Sequence, residues 1–301
     1  MNKLGASEKT FQALIYGALS LLGLLTLYPF WNAIVISFNS GMDTSLGGIT
    51  FWPRAFTLDN YGIVFQDKRL LQSFLITVMR VAAGTLLSIV ITSLLAYGLS
   101  KSHILFHKGY MFYCIVTMFF SGGLIPFFVL NKELHLHNTF WVMVIPFLVN
   151  VYNMIIFRTF FRELPGGLEE SAKIDGCSHF GTFVRIIVPV SGPVFATLAL
   201  FTAVFHWNDW FTAAIFVNKT DLLPISAILQ QIMNSNLTAE LLSSQLGGNA
   251  AAQDAVQKIQ TVTGKSLSMT TMVVASLPII LVYPFLQKYF VKGVLVGSIK
   301  G

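Results

Sequence analysis

The sequence predicts an all-α integral membrane protein of six spanning helices, and three observations predict it. Hydrophobic residues make up 54% of the chain and charged residues only 11%, whereas soluble domains carry about 25% charged residues. Mean hydropathy is +0.70. The apolar residues gather into six segments, about 11–38, 70–100, 110–130, 138–160, 186–217 and 268–290. Each is long enough to cross a hydrocarbon core, which takes roughly 20 helical residues. Helices are expected because a helix satisfies its own backbone hydrogen bonds in lipid, and the alternating strands of a barrel are missing. Residues 1–301 are expected to form a single transmembrane domain.

The first segment, Leu14 to about Phe38, exceeds the roughly 7–15 apolar residues of a signal peptide and lacks a small-residue cleavage site before Tyr28-Pro29-Phe30, so it is read as a retained span. In the loop 39–69, Gly47-Gly48 and Trp52-Pro53 set turn punctuation beside aromatics suited to the headgroup level. Arg80 lies about ten residues into the second segment. Snorkelling or an internal partner explains it, or it faces a transport cavity and attracts a substrate carboxylate. In the third segment Gly122, Gly123 and Pro126 either bend and interrupt the helix or permit a close helix crossing. Asn150 and Asn153 in the fourth, and Asn208 and Asp209 in the fifth, are expensive in hydrocarbon and should face protein or water. A packing network and a translocation path both account for them. Trp207 reads equally as a sugar platform or as packing. The loop 218–267 opens with Leu222-Leu223-Pro224 and an amphipathic stretch through Met233, then turns rich in Ser, Asn, Gln, Ala and Gly. It is expected to be a folded extracellular excursion.

The net charge of +6 does not mark a nucleic-acid binder, because the Lys and Arg residues are not clustered on one soluble face. They lie between the apolar segments and set orientation. With both termini cytoplasmic, eleven fall inside, seven fall in the longer outer loops, and Arg80 lies within a span, the bias expected of inner loops. Cys114 and Cys177 are far apart and His135 and His137 stand alone, so no metal site is expected. Gly264-Lys265-Ser266 resembles the end of a phosphate-binding loop, but Ile259 stands where the motif needs glycine. No catalytic cluster is present in the sequence.

Between the fourth and fifth segments, 161–185 reads as a cytoplasmic knob. Pro165 ends the span, and Glu169 and Glu170 fall early in a short helix, whose positive end favours carboxylates. Ser171 and Ala172 leave a face that another protein can approach closely. Gly176 permits a sharp turn, Phe180 and Phe183 supply apolar anchors, and Pro189 marks the return to the membrane.

This stretch resembles the EAA loop of binding-protein-dependent ABC importers, in which Glu-Ala-Ala is followed after three residues by Gly, then by nine residues and Ile-x-Leu-Pro. Glu170-Ser171-Ala172, Gly176, Ile186 and Pro189 match that spacing, with Ser171 and Val188 as mild departures. The likeness extends along the chain. Asn153 to Phe161 resembles the end of the fourth span in carbohydrate permeases of the MalG type, Trp207-Asn208-Asp209-Trp210 their fifth-span motif, and Gln287 to Gly301 their C-terminal tail. Phe120-Ser121-Gly122-Gly123-Leu124-Ile125-Pro126 is similar to a subgroup associated with uptake of complex-polysaccharide fragments.

The resemblance implies a type I (MetI-like) importer permease with a cytoplasmic coupling helix, in a bacterial cytoplasmic (inner) membrane. Its implied partners are a second, related permease forming a heterodimer, two ABC ATPase subunits, an extracellular solute-binding protein and a carbohydrate. ATP and Mg would be bound by the ATPase partner, with no cofactor on this chain. The implied coupling residues are Glu169, Glu170, Ser171, Ala172, Asp175, Gly176, Ile186 and Pro189, with direct ATPase contact and local capping both open for Glu169 and Asp175. Tyr289, Lys292, Gly293, Lys300 and Gly301 are implied to touch the same ATPase. Three rivals stand beside this reading: a permease for amino acids or peptides, a secondary transporter, and a membrane enzyme. The Trp207–Trp210 and C-terminal likenesses argue against the first, the lack of an inverted repeat against the second, and the missing catalytic cluster against the third.

Overall fold

A computed structural model describes the backbone of residues 6–101, 104–245 and 265–298, with side chains over 8–101, 104–235 and 265–282. The chain divides into two compact units, Met1–Lys68 with Leu229–Leu277, and Arg69–Ile228 with Pro278–Gly301.

In the first unit, α1 (Ala6–Ser37) is apolar around its circumference, and Phe11, Leu14, Tyr16, Leu19 and Leu24 are all exposed within this chain. A helix that is hydrophobic on every side belongs in lipid or against other helices. Its last turn, by contrast, is buried at Ala33, Val35, Ile36 and Ser37, and a polar network there orders the loop that follows. Asn39 donates to Asp43 at 2.9 Å and accepts from the Ala55 amide at 2.9 Å, while Asn60 donates to the carbonyls of Ser37 and Asn39. These contacts hold α2 (Gly41–Ser45) and α3 (Asp59–Gln66) in place. The Asn39 hydrogen bond, helped by Arg54 and opposed by desolvation, holds the Asp43 carboxyl below its ordinary range, so this corner stays ionised into acid.

The second unit is organised by α4 (Lys68–Ser100), whose buried positions include Ser73, Thr77, Arg80, Gly84, Ser88, Thr92 and Ala96. That spacing of three and four puts small and hydroxyl-bearing residues on one face, the composition that lets membrane helices approach closely. The next segments are each broken, the third at the Gly122–Gly123 pair, where interruption is one of the two sequence alternatives. The third divides into α5 (His107–Phe119) and α6 (Leu124–Glu133), bent by 113°. Gly123 supplies the positive φ of 88° that this reversal requires. The fourth starts in two 3₁₀ turns, Phe140–Met143 and Ile145–Phe147, with Pro146 in the second, before α7 (Val151–Glu163) begins under an Asn150 cap, which accepts from the Asn153 amide at 2.9 Å.

A short helix α8 (Gly167–Ile174) precedes α9 (His179–Thr182), a π turn over Phe183–Ile187, and α10 (Val188–Val190). An 85° bend at Ser191 leads to α11 (Gly192–Asn208), and α12 (Phe211–Phe216) follows a second break. Pro189 and Pro193 flank the first break, each removing a backbone donor from the ladder. The amphipathic stretch after Pro224 is helical and continues past Met233, with α13 running Ile225–Gln245, and α14 spans Lys265–Ser298. Residues 246–264 lie outside those described.

Three helices among the described residues are long and apolar enough to cross a membrane, and six spans result when each bent pair is one crossing. Two apolar cores fill the second unit. One gathers Tyr97, Met154, Phe157, Phe161, Phe183 and Leu198, the other Ile76, Val142, Met143, Ala213, Phe216 and Leu223.

Gly84 has a specific steric reason. His206 on α11 is fully buried against it, and a methyl at Gly84 would stand 2.7 Å from two ring carbons of that histidine. Gly84→Ala is expected to overpack this crossing by about 1–3 kcal/mol, read as a lower melting midpoint in detergent. Gly98→Ala, which meets no atom within 4 Å, should leave the midpoint unchanged or higher.

Candidate functional site

The knob is built from backbone geometry that its sequence specifies. Pro165 and Gly166 turn the chain into α8, and Glu169 and Glu170 occupy its first turn at the positive end of the helix dipole. Gly176 ends the helix with φ +76°, its amide donating to Lys173 O at 3.0 Å while the Cys177 amide donates to Ala172 O at 2.9 Å. That pair of bonds is the Schellman closure, which needs a residue free to adopt the left-handed region. Ser178 then caps α9, accepting from the Gly181 amide at 3.1 Å.

Two faces result. Ala172 is buried, Phe183 packs its ring 5.1 Å from Tyr97, and Ile187 is buried at the end of the π turn. Outward stand Glu170, Ser171, Asp175, Gly176 and Pro189, with Ile186 half-buried. Ile174 is 85% exposed and Phe180 66% exposed, two large apolar side chains beside the acidic turn. Glu169 differs from its neighbour: its carboxylate pairs with Lys101, just past the end of α4.

Deeper in the unit, Arg80 is fully buried, with Nη1 donating to the carbonyl of Asp209 at 2.6 Å and Nη2 paired with the Asp209 carboxylate. The other carboxylate oxygen of Asp209 accepts from the Thr212 amide at 3.2 Å, opening α12. Of the sequence alternatives for Arg80, the geometry provides the internal partner. Asp209 sits where α11 ends, so one residue terminates a helix, starts the next and neutralises a cation. Trp207 meets Phe74 edge-on at 5.8 Å, and Asn208 is exposed.

Asn150 and Asn153 come together at a half-open cleft of about 300 Å³, with Ser88, Tyr152, Phe201 and Phe205 among its walls. That volume is at the lower end of small-molecule clefts. Asn153 donates to Thr202 at 3.2 Å, and Asn150, Asn153 and Tyr152 bring amide and hydroxyl groups to the lining. None of the lining residues is charged. Trp207 lines a separate apolar cleft of about 450 Å³ with Val81, Phe201 and Ile279. The structure thus unites the two asparagines at one cleft, pairs Arg80 with Asp209, and places Trp207 on the wall of a second cleft.

Tyr289, Lys292 and Gly293 fall on α14 beyond the described side chains, and Lys300 and Gly301 lie outside the described residues. Lys101, Tyr97, Gly84 and His206 were not singled out from sequence, because their partners are distant in the chain. A lysine directly after an apolar run was the one local signal for Lys101. No cluster of three metal-ligating side chains occurs among the described residues.

Removing one partner of a buried pair leaves an uncompensated charge, so Arg80→Met is expected to destabilise the protein by about 3–5 kcal/mol. Adding Asp209→Asn, which retains the cap on Thr212, should restore most of that loss in the same melting measurement.

The comparisons agree along nearly the whole chain. The family described as "Binding-protein-dependent transport system inner membrane component" matches residues 68–296. The "Polygalacturonan/rhamnogalacturonan transport system permease protein YtcP" of Bacillus subtilis (strain 168) is 37% identical over 296 residues, covering 98% of this chain and 99% of its own. "Protein LplC" of the same organism is 39% identical over 280 residues, covering 93% and 91%. A crystal structure of a bacterial ABC transporter involved in import of the acidic polysaccharide alginate superposes with a TM-score of 0.82 at 26% identity, covering 96% of this chain and 100% of that one.

Proposed function

This chain belongs to the family of binding-protein-dependent transport system inner membrane components, and from that premise we propose that it imports an oligosaccharide derived from complex polysaccharide. It forms the path together with a second related permease. Two ABC ATPase subunits bind ATP and Mg and hydrolyse the nucleotide, a solute-binding protein delivers the sugar outside, and this chain is not itself an enzyme. Both termini face the cytoplasm of a bacterial cell, and the knob 161–185 is the coupling segment.

The observation that carries the reading is the knob. Exposed Ile174 and Phe180 beside Glu170 and Asp175 give an apolar anchor with an acidic rim, suited to insertion in a protein groove. The Schellman closure makes it rigid enough to be pushed. When ATP closes the ATPase dimer the knob moves with it, and the bundle exchanges an inward-facing for an outward-facing state, a two-state equilibrium biased by a ligand. Tyr289, Lys292, Gly293, Lys300 and Gly301 add contact to the same partner. The 218–267 excursion receives the solute-binding protein.

Two of these proteins are described as serving transport of polygalacturonan/rhamnogalacturonan and import of alginate, and the cleft at Asn150 and Asn153 supports a saccharide here. Amide and hydroxyl groups match sugar hydroxyls, and exposed Phe201 and Phe205 match the apolar face of a pyranose ring. A permease for amino acids would have to meet two substrate charges in the path, and this cleft offers none. Arg80 is already neutralised by Asp209, so acidic groups on a sugar are read by the binding protein or the second permease.

Purification of the complex and reconstitution in proteoliposomes tests this. Two ATPase subunits and a second permease should co-purify, and ATP-driven uptake of oligogalacturonide or related oligosaccharides should depend on the binding protein. Transport in an ion gradient by the chain alone would overturn the reading. Gly176→Val, which forces a β-branched residue into the left-handed region, should lower uptake about tenfold or more. Asn150→Ser keeps a helix cap while removing the amide donor, and should lower uptake about fivefold without detaching the ATPase. Deleting residues 236–262 should abolish stimulation of ATP hydrolysis by the binding protein.

A further inference from the structure

The end of α4 meets four other elements. Its Leu99 carbonyl accepts from Arg158 Nε on α7 at 2.8 Å, and a ring nitrogen of His107 on α5 lies 2.9 Å from the same oxygen. Tyr97, one turn earlier, packs against Phe161 and Phe183 at 6.2 and 5.1 Å between ring centroids, the residues flanking the knob on both sides. Lys101 follows immediately. Its ammonium stands 4.4 Å above the Tyr97 ring and pairs with the Glu169 carboxylate of α8.

We propose that Lys101 and Glu169 form a strut that transmits movement of the coupling helix into the second spanning helix, and that Glu169 is a positioning residue of this chain rather than the acid that meets the ATPase. The inference rests on the ATPase-coupled reading above. Its physical warrant is the order of charges along the junction. The carbonyl end of α4 is negative, Lys101 is positive, Glu169 is negative, and the amide end of α8 is positive. Every adjacent pair attracts, and each charge sits at the helix end whose dipole favours it. The side chains of Lys101 and Glu169 are 19% and 21% exposed, so the attraction is screened less than that of a surface pair. The Tyr97 ring face adds a further attraction to the ammonium.

Glu170 cannot take the same part. Successive residues on a helix point about 100° apart, and while Glu169 is half-buried against α4, Glu170 is exposed with Asp175 and Ile174 on the outward face. The division assigns Glu170 to the partner and Glu169 to the chain itself. Force applied to α8 then has a direct electrostatic route to α4, which carries the Arg80 ion pair and the Ser88 wall of the cleft.

The test uses the complete importer in proteoliposomes and reads ATP hydrolysed per saccharide imported, with co-purified ATPase as a second measurement. Lys101→Glu, Glu169→Lys and the isosteric Glu169→Gln should each raise that ratio about fivefold or more while the ATPase stays attached. Lys101→Arg should remain within about twofold of the unaltered protein. The exchange of both charges should fall between, because it rebuilds the attraction but places each charge at the wrong helix end. The strut is overturned if the single variants keep the original ratio, if the exchange is no better than either alone, or if Glu169→Gln releases the ATPase while Lys101→Glu does not. Absence of ATP-driven uptake by the unaltered complex would instead overturn the functional reading itself.

Discussion

In hydrocarbon no water meets a backbone or side-chain polar group that its own protein leaves open, and a chain that breaks its spanning helices opens many such groups. Three of the junctions are closed by named polar side chains. Asn150 caps α7, Asn138 accepts from the amides of Asn218 and Lys219 after α12, and Asp209 serves two helices and a guanidinium together. The Arg80–Asp209 pair is the most consequential, since an uncompensated charge at this depth would be the costliest defect available. It ties the middle of α4 to the junction of α11 and α12.

On the proposed function, that closure shapes the chemistry open to a solute. Once the buried cation is consumed internally, the cleft between α7 and α11 is left with amides, hydroxyls and aromatic faces. Such a surface holds a sugar by many weak contacts, none strong enough to trap it. A carrier benefits from that balance, because tight binding in the path slows release. Under the proposed function, discrimination by charge would rest with partner subunits.

In the proposed mechanism the knob and the end of α4 form the mechanical counterpart. The Schellman closure at Gly176 and the cap at Ser178 stiffen the knob, the Tyr97–Phe161–Phe183 packing seats it, and Lys101 with Glu169 orders the charges across the seam. The π turn at Phe183–Ile187 lies directly behind. An extra residue in a helical turn is common at functional positions, and here it rotates Phe183 and Ile187 into the core while leaving Val184 and Arg185 exposed.

Composition and apolar run length by themselves determined that the protein spans a membrane as helices, because the cost of exposing polar groups to lipid leaves no other choice for runs of this length. The spacing from Glu170 through Gly176 to Pro189 determined the knob, since a helix start, a left-handed stop and a proline are local backbone demands written in consecutive residues. The sequence left interruption and a close crossing both open for the third segment, and only the tertiary structure decided that it is broken and that the fourth and fifth segments are broken as well. Gly123 and Pro189 permit a bend, but a glycine or a proline alone does not set its angle. Likewise Arg80 was visible as an anomaly, while its partner lies 129 residues away, and two acids adjacent in sequence, Glu169 and Glu170, separated into an inward and an outward role only when Lys101 was brought to one of them. Contacts between distant segments depend on how helices pack, and no local pattern encodes that.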